Sequence, residues 1–308
     1  MALAEVAEPI DPEAIRAIPV RHWGRWVSGG IVALLILWLL RAAAQAHFID
    51  WSVVHKYLFS PLIRKGVQNT IILSVLAQAV GIGLGVLFAV MRLSKNPVTS
   101  GVSKFYIWFF RGTPVLVQLF FWFNGVPSVF KALTIAIPFT HVTLYTTPMV
   151  SFMTPFHAAL LGLALNEGAY MAEIVRAGIL SVDEGQVEAA QALGMPSLLT
   201  MRRIVLPQAM RVIIPPTGNE FISMLKTSSL ASAITYAELL RVSGDIYSTN
   251  LEVVPLLVVA SIWYLALTSV ASVGQYYIER RFARGRLRAL PETPFQRVRR
   301  AVAGRPRI

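Results

Sequence analysis

Cysteine is absent from all 308 residues, which excludes a disulfide framework and any thiolate metal site. Charge is scarce too. Only 14% of residues are Asp, Glu, Lys or Arg, against about 25% in soluble domains. The acidic sign is the rarer one, 16 residues against 28 basic, for a formal net charge of +12. The first twenty residues hold four acids, one arginine and three prolines. They lack the basic start and apolar core of a secretory signal and read as a flexible cytoplasmic tail. The five histidines (22, 47, 55, 141 and 157) show no metal-ligand spacing, and His157 is expected to be hydrogen-bonded within the helix bundle. A nucleophile–base pair or metal cluster inside the apolar segments is also missing, which speaks against a membrane-embedded enzyme.

What is present in quantity is apolar surface. Hydrophobic residues make up 55% of the chain and mean hydropathy is +0.59, the composition of an integral membrane protein. Crossing the hydrocarbon core takes about 20 apolar residues in a helix. The first candidate runs from Trp26 to Gln45, with Arg41 near one end where it can snorkel to the headgroups. The second, 66–91, is uncharged and carries Gly81, Gly83 and Gly85 as a smooth face for close packing. In the third, Thr113-Pro114 reads as an N-cap followed by proline at the first helical position. That places its start near Pro114 and lays 102–110 along the interface. The fourth starts near Pro155, the fifth covers 209–232 and the sixth covers 253–278.

Lysine and arginine set the orientation. With the N-terminus inside, the basic loop 92–104, the 177–207 loop and the basic tail all fall inside. The loops 127–154 and 233–251 fall outside with one basic residue each; only 46–66, with Lys56, Arg64 and Lys65, fits poorly. Residues 279–308 hold ten arginines and two glutamates. Directly after a span, such a tail meets anionic headgroups rather than nucleic acid. The expected fold is all-α and integral to the membrane, with about six transmembrane helices. The two halves show no internal repeat, and single-chain transporters commonly build their pathway between repeats. A second copy or a close relative is therefore expected beside this one.

The segment EAAQALGMPSLLTMRRIVLP (188–207) is too polar to cross a bilayer and too apolar for a free loop. Asp183 with Gln186, or Ser181 with Glu184, can open a short helix that ends at Leu193 before Gly194. Pro196 then opens a second helix, expected to end near Pro207. Alanines 189, 190 and 192 permit close approach, while Leu193, Met195, Leu198 and Leu199 offer apolar knobs. The combination reads as a docking element.

Glu188, Ala189, Ala190, Gly194, Ile204, Leu206 and Pro207 fill every position of E-A-A, three residues, G, nine residues, I, one residue, L-P. In this the chain resembles the permease subunits of binding-protein-dependent ABC importers. FRGTPVLVQLF (110–120), GAYMAEIVRAGI (168–179) and GNEFISMLKTSSLAS (218–232) are similar to the polar amino acid subfamily, with serine in KTSSL where threonine is common. The resemblance covers roughly 66–285. It implies a non-catalytic permease subunit in the bacterial cytoplasmic membrane, both termini cytoplasmic. An ABC ATPase dimer would dock at 182–207, and an extracytoplasmic solute-binding protein would deliver an amino acid. The implied organisation is a tail (1–25), an extra N-terminal helix and outer loop (26–65), a five-helix permease domain (66–285) and a basic tail (286–308). No G-x-x-x-x-G-K-[ST] phosphate loop occurs, so ATP and Mg belong to the partner ATPase and no cofactor is expected here.

Ionisable groups within spans are rare and face a cavity or a partner. Glu167, beside Asn166 and one turn from Tyr170, can meet a substrate ammonium or pair with Lys226. Asn219, Glu220, Ser223 and Lys226 follow helical spacing and can line one face, behind Pro215-Pro216. Glu173 and Arg176 read as a structural i,i+3 pair. Arg111 reads as snorkelling at the inner surface. A self-sufficient ion-coupled transporter is the competing reading: the embedded charges favour it, and the missing repeat and the docking loop oppose it.

Overall fold

A computed structural model describes residues 23–45, 49–137 and 143–282. The N-terminal tail, three of the histidines (22, 47 and 141) and the arginine-rich run beyond Phe282 lie outside the described residues. The chain divides into two units, Met1–Asp50 and Trp51–Ile308. In the first, helix α1 (Trp23–Gln45) covers the first expected span, with an apolar stretch, Val27–Leu39, shorter than a full crossing.

The second unit opens with α2 (Trp51–Leu58) and α3 (Pro61–Leu93). Ser60 starts α3 by accepting from Ile63 N at 3.4 Å, with Pro61 at the first helical position. Thirty-three residues at 1.5 Å per residue give α3 about 50 Å, more than the roughly 30 Å hydrocarbon core requires. The third expected span is broken. Helix α4 (Pro97–Gly112) is followed by α5 (Val115–Phe120), a π-turn (Phe121–Gly125) and α6 (Val126–Val129).

The helix after the break starts at Val115, one residue from the expected start near Pro114, but Thr113 is not its cap. Thr113 closes α4 instead of opening the next helix, and its hydroxyl donates to Phe109 O at 2.9 Å. Gln118 Nε2 reaches back to the freed carbonyls of Phe110 (3.0 Å) and Thr113 (3.1 Å). A break inside a helical crossing survives where side chains re-satisfy the backbone in this way.

Beyond α6 a hairpin interrupts the helical pattern, with β1 (Ala132–Ala136) antiparallel to β2 (Thr143–Pro148). Its register pairs Leu133 with Thr147 and Ile135 with Tyr145. The strands are rich in β-branched and aromatic residues, which suit a pleated surface. Helix α7 (Met149–Phe152) leads into α8 (Pro155–Leu180), capped by Thr154.

Helices α9 (Glu184–Ala192) and α10 (Ser197–Thr200) form the polar loop. A π-turn (Met201–Val205) joins α10 directly to α11 (Leu206–Thr227). The expected helix end at Pro207 is therefore absent. Proline lacks the N–H for the residue four back, and the wider turn, with Leu206 N bonded to Met201 O, carries the chain through that gap. A 3₁₀ segment (Ser228–Ile234), α12 (Leu239–Asn250) and α13 (Val253–Phe282) complete the unit. Among the described helices, α3, α8 and α13 are long and apolar enough to cross a membrane.

Helices α3 and α8 run parallel in the centre. A Cβ on Gly81 would lie 2.5 Å from Glu167 Cγ, and one on Gly85 would collide with Met171. Gly83 has nothing within 4 Å, so only two of the three expected glycines form the seam. Tyr106 of α4 stacks on Phe88 (3.7 Å between centroids), and its hydroxyl donates to Leu165 O at 2.7 Å. Helix α4 thus packs against the middle of α8.

Candidate docking element and transport pathway

The polar loop is a built structure. Gly194 has φ +74°, with Gly194 N donating to Gln191 O (2.9 Å) and Met195 N to Ala190 O (3.1 Å). These two bonds satisfy the last carbonyls of α9 in the pattern that favours glycine just past a helix end. Neither expected capping box forms: Asp183 opens α9 without a side-chain bond, and Ser181 donates to Gly178 O. Leu193 and Leu198 flank the turn and are each 81% exposed. Glu188 and Ala189 are exposed as well, whereas Ala190 is 4% exposed and faces inward. Ile204, Leu206 and Pro207 belong to the π-turn and the first turn of α11.

Beneath the loop, Val182 and Val205 join Ala89, Met171, Val175, Ala209 and Ile213 in one buried cluster. Movement of the loop is thereby tied to α3, α8 and α11 together, because close-packed interiors transmit displacement.

Halfway along α8, polar groups converge from four helices. Asn166 Nδ2 donates to Phe110 O at 2.7 Å. The Arg111 guanidinium lies 5.0 Å from the centroid of the Tyr170 ring, a cation–π distance. Arg111 therefore lies beside the middle of α8, a contact between helices that sequence reasoning did not foresee. Glu220 of α11 is within electrostatic reach of both Arg111 and Glu167.

Glu167 itself is 5% exposed and faces α3, accepting from Gln78 Nε2 at 3.0 Å. The considered pairing with Lys226 is not found: Lys226 is exposed, as are Asn219 and Ser223. These three residues do share one face of α11, with Glu220 half-buried beside them. Glu173 and Arg176 form the expected i,i+3 ion pair at 2.6 Å, and His157 Nδ1 lies 2.7 Å from Phe152 O.

At the opposite end from the loop, a cluster not foreseen from sequence fastens α12. Glu238 is completely buried and accepts from Leu240 N (2.9 Å), Arg241 N (2.6 Å) and Tyr264 Oη (2.6 Å). Thr70 Oγ1 accepts from Leu239 N at 3.1 Å, binding the same turn to α3.

A helical membrane body with an apolar-knobbed polar loop and a mid-depth polar cluster defines the class, a membrane transport component. Residues 81–284 match the family described as binding-protein-dependent transport system inner membrane component, and the chain belongs to that family. It is 48% identical over 285 residues to the arginine transport system permease protein ArgU of Corynebacterium glutamicum, covering 92% of this chain and 88% of that protein. It is 38% identical over 237 residues to the L-cystine transport system permease protein TcyB of Bacillus subtilis, covering 77% and 92%. Among solved structures, an amino acid ABC transporter crystallised with histidines is similar at TM-score 0.64 and 36% identity, covering 76% of this chain and 99% of that one. The MetNI methionine transporter in an inward-facing conformation shares the fold at TM-score 0.57 and 18% identity.

Proposed function

We propose that this chain is the permease subunit of an ATP-driven importer of amino acids carrying a cationic side chain. The mid-depth cluster is the observation that carries this reading. A cationic amino acid brings two positive groups and one carboxylate, and the cluster sets Glu220 near Arg111, with Glu167 behind it. Similarity to ArgU and TcyB supports an amino acid as cargo. Asn166, Tyr170, Asn219, Ser223 and Lys226 complete the pathway wall. A solute-binding protein delivers the substrate from outside. A second permease copy or a relative supplies the facing wall. An ABC ATPase dimer seats on 182–207 and handles ATP and Mg, and this subunit performs no catalysis.

Geometry gives the two glutamates different parts. Glu220, half-buried beside Arg111, is placed to touch a substrate cation, while Glu167 acts from behind through its charge. Glu220→Gln is expected to lower the initial uptake rate by about 10- to 100-fold, the worth of a hydrogen bond to a charged group. Glu167→Gln, which keeps the acceptor for Gln78, should lower uptake less and leave complex yield intact. Radiolabelled uptake in cells carrying the matching binding protein and ATPase checks both. Normal uptake in the Glu220 variant would remove the cluster from the substrate path.

The orientation proposed from the positive residues puts 182–207 and both termini inside and 127–154 outside. Because cysteine is absent, a single cysteine at Ser197, exposed beside Leu198, reports its side directly. It should resist an impermeant thiol reagent in intact cells and react in inverted vesicles. Labelling in intact cells would invert the topology.

A further inference from the structure

We propose that a groove on the back of the loop-bearing end holds an acyl chain of an anionic membrane phospholipid. The groove has a volume of about 720 Å³ and is lined along α3 by Ile82, Val86 and Val90 and along α11 by Met210 and Ile214. Its few polar groups include Ser94 and Thr217, so an amino acid passing through would find almost no partner. On α8 it takes the face of Met171, Val175 and Ile179, whereas Asn166 and Tyr170 turn toward α4. The π-turn shapes its rim. Met201 and Leu206, five residues apart, both line the groove. A regular α-helix would set them well over a quarter turn apart, whereas an i→i+5 turn brings them onto one side.

Two further features name the occupant. From Ile82 to Leu93 the groove follows α3 for about 16 Å, close to half of the roughly 30 Å hydrocarbon core and so to the depth of one leaflet. Its lining at the loop-bearing end includes Leu93, Ser94 and Met201, and next to them in sequence stand the exposed cations Lys95, Arg202 and Arg203. None of the three is in an ion pair among the described residues. An apolar slot one leaflet deep with three basic residues next to its end fits a chain and an anionic headgroup together, as basic clusters beside spans do. The assignment to the inner leaflet rests on the orientation proposed above; the chemistry of the slot does not.

The test uses the full complex in its native membrane. A benzophenone amino acid is placed at Val86, which is 46% exposed, and for comparison at Trp108 on the far surface of α4, which is 70% exposed. After irradiation, mass spectrometry of the permease should show single phospholipid adducts at Val86, enriched in anionic lipid over the bulk membrane. Adducts at Trp108 should follow the bulk composition. Lys95→Gln combined with Arg202→Gln should lower the anionic-to-neutral ratio at Val86 by about 25-fold, about fivefold for each cation lost near the membrane surface. Cross-linking of Val86 to a second permease copy or to another stretch of the same chain overturns the proposal. So does the absence of an adduct, or a lipid composition at Val86 equal to that at Trp108. Because the readout is lipid identity and not transport, an error in the assigned substrate leaves this result standing.

Discussion

Replacing Gly85 by alanine is expected to strip most of the folded permease from the membrane, while Gly83→Ala two residues away should be silent. A Cβ on Gly85 would collide with Met171 Cβ and lie 2.9 Å from the Met171 carbonyl carbon, so backbone as well as side chain would have to move. Met171 is 1% exposed, and because the contacts are with its Cβ and its backbone, turning its side chain into the neighbouring groove does not relieve them. Overpacking of this kind costs about 1–3 kcal/mol, and a contact with backbone lies at the upper end. About 3 kcal/mol lowers the folded-to-unfolded ratio by roughly 150-fold. Gly83 has open space around its Cβ position and gains helix propensity on becoming alanine. Size-exclusion yield of a fluorescent fusion in mild detergent reads both variants. Equal yields for the two would show that α3 does not depend on glycine to approach α8.

That pair of residues also marks where sequence reading works and where it stops. Apolar runs located the long helices, and Ser60-Pro61 and Thr154-Pro155 start α3 and α8 as their residue types direct. Gly81 and Gly85 are one helical turn apart and share a face, while Gly83 points away, a distinction helical periodicity alone could have drawn. Gly194 was legible because a glycine past a helix end has a single strong structural meaning. Proline was harder, since one residue type has several roles. Thr113-Pro114 has the composition of a helix start, and α5 does start at Val115, but the same pair also closes α4 and marks a break in the crossing. What makes it a break is Gln118 reaching back to Phe110 and Thr113, a contact that no local pattern announces.

Pro207 likewise reads as a stop and is carried through by the π-turn. The contact of Arg111 with Tyr170 was not legible, because it joins two helices far apart in sequence. Long-range partners were the least legible. Glu167 meets Gln78 and not Lys226, and Glu238 meets Tyr264, because pairing across helices depends on how whole elements pack.

Substituting Gly194 by aspartate is expected to abolish transport while leaving the permease inserted and folded. The turn at Gly194 requires positive φ, which costs a residue with a side chain about 1 kcal/mol or more. Nothing lies within 4 Å of the Cβ position, so the isolated permease has room for the new side chain. The larger effect arises on docking. Leu193 and Leu198 stand exposed on either side of the turn, as the proposed seating of an ATPase on this loop requires. A carboxylate between them must shed its water there without a counter-ion, a penalty of several kcal/mol. About 3 kcal/mol corresponds to at least a hundredfold loss of ATPase affinity.

Asparagine separates the two causes, since it tolerates the left-handed conformation and adds no charge. Gly194→Asn should therefore keep most of the affinity. Co-purification with the ATPase, followed by substrate-stimulated hydrolysis in liposomes, measures both steps. Loss in the aspartate variant alone locates the fault at the docked interface, and equal loss in both variants assigns it to the turn. Movement imposed on the loop then has a direct route inward, because α10 continues without interruption through the π-turn into α11, the helix that carries Glu220. Wild-type hydrolysis in the aspartate variant would remove this turn from the coupling joint.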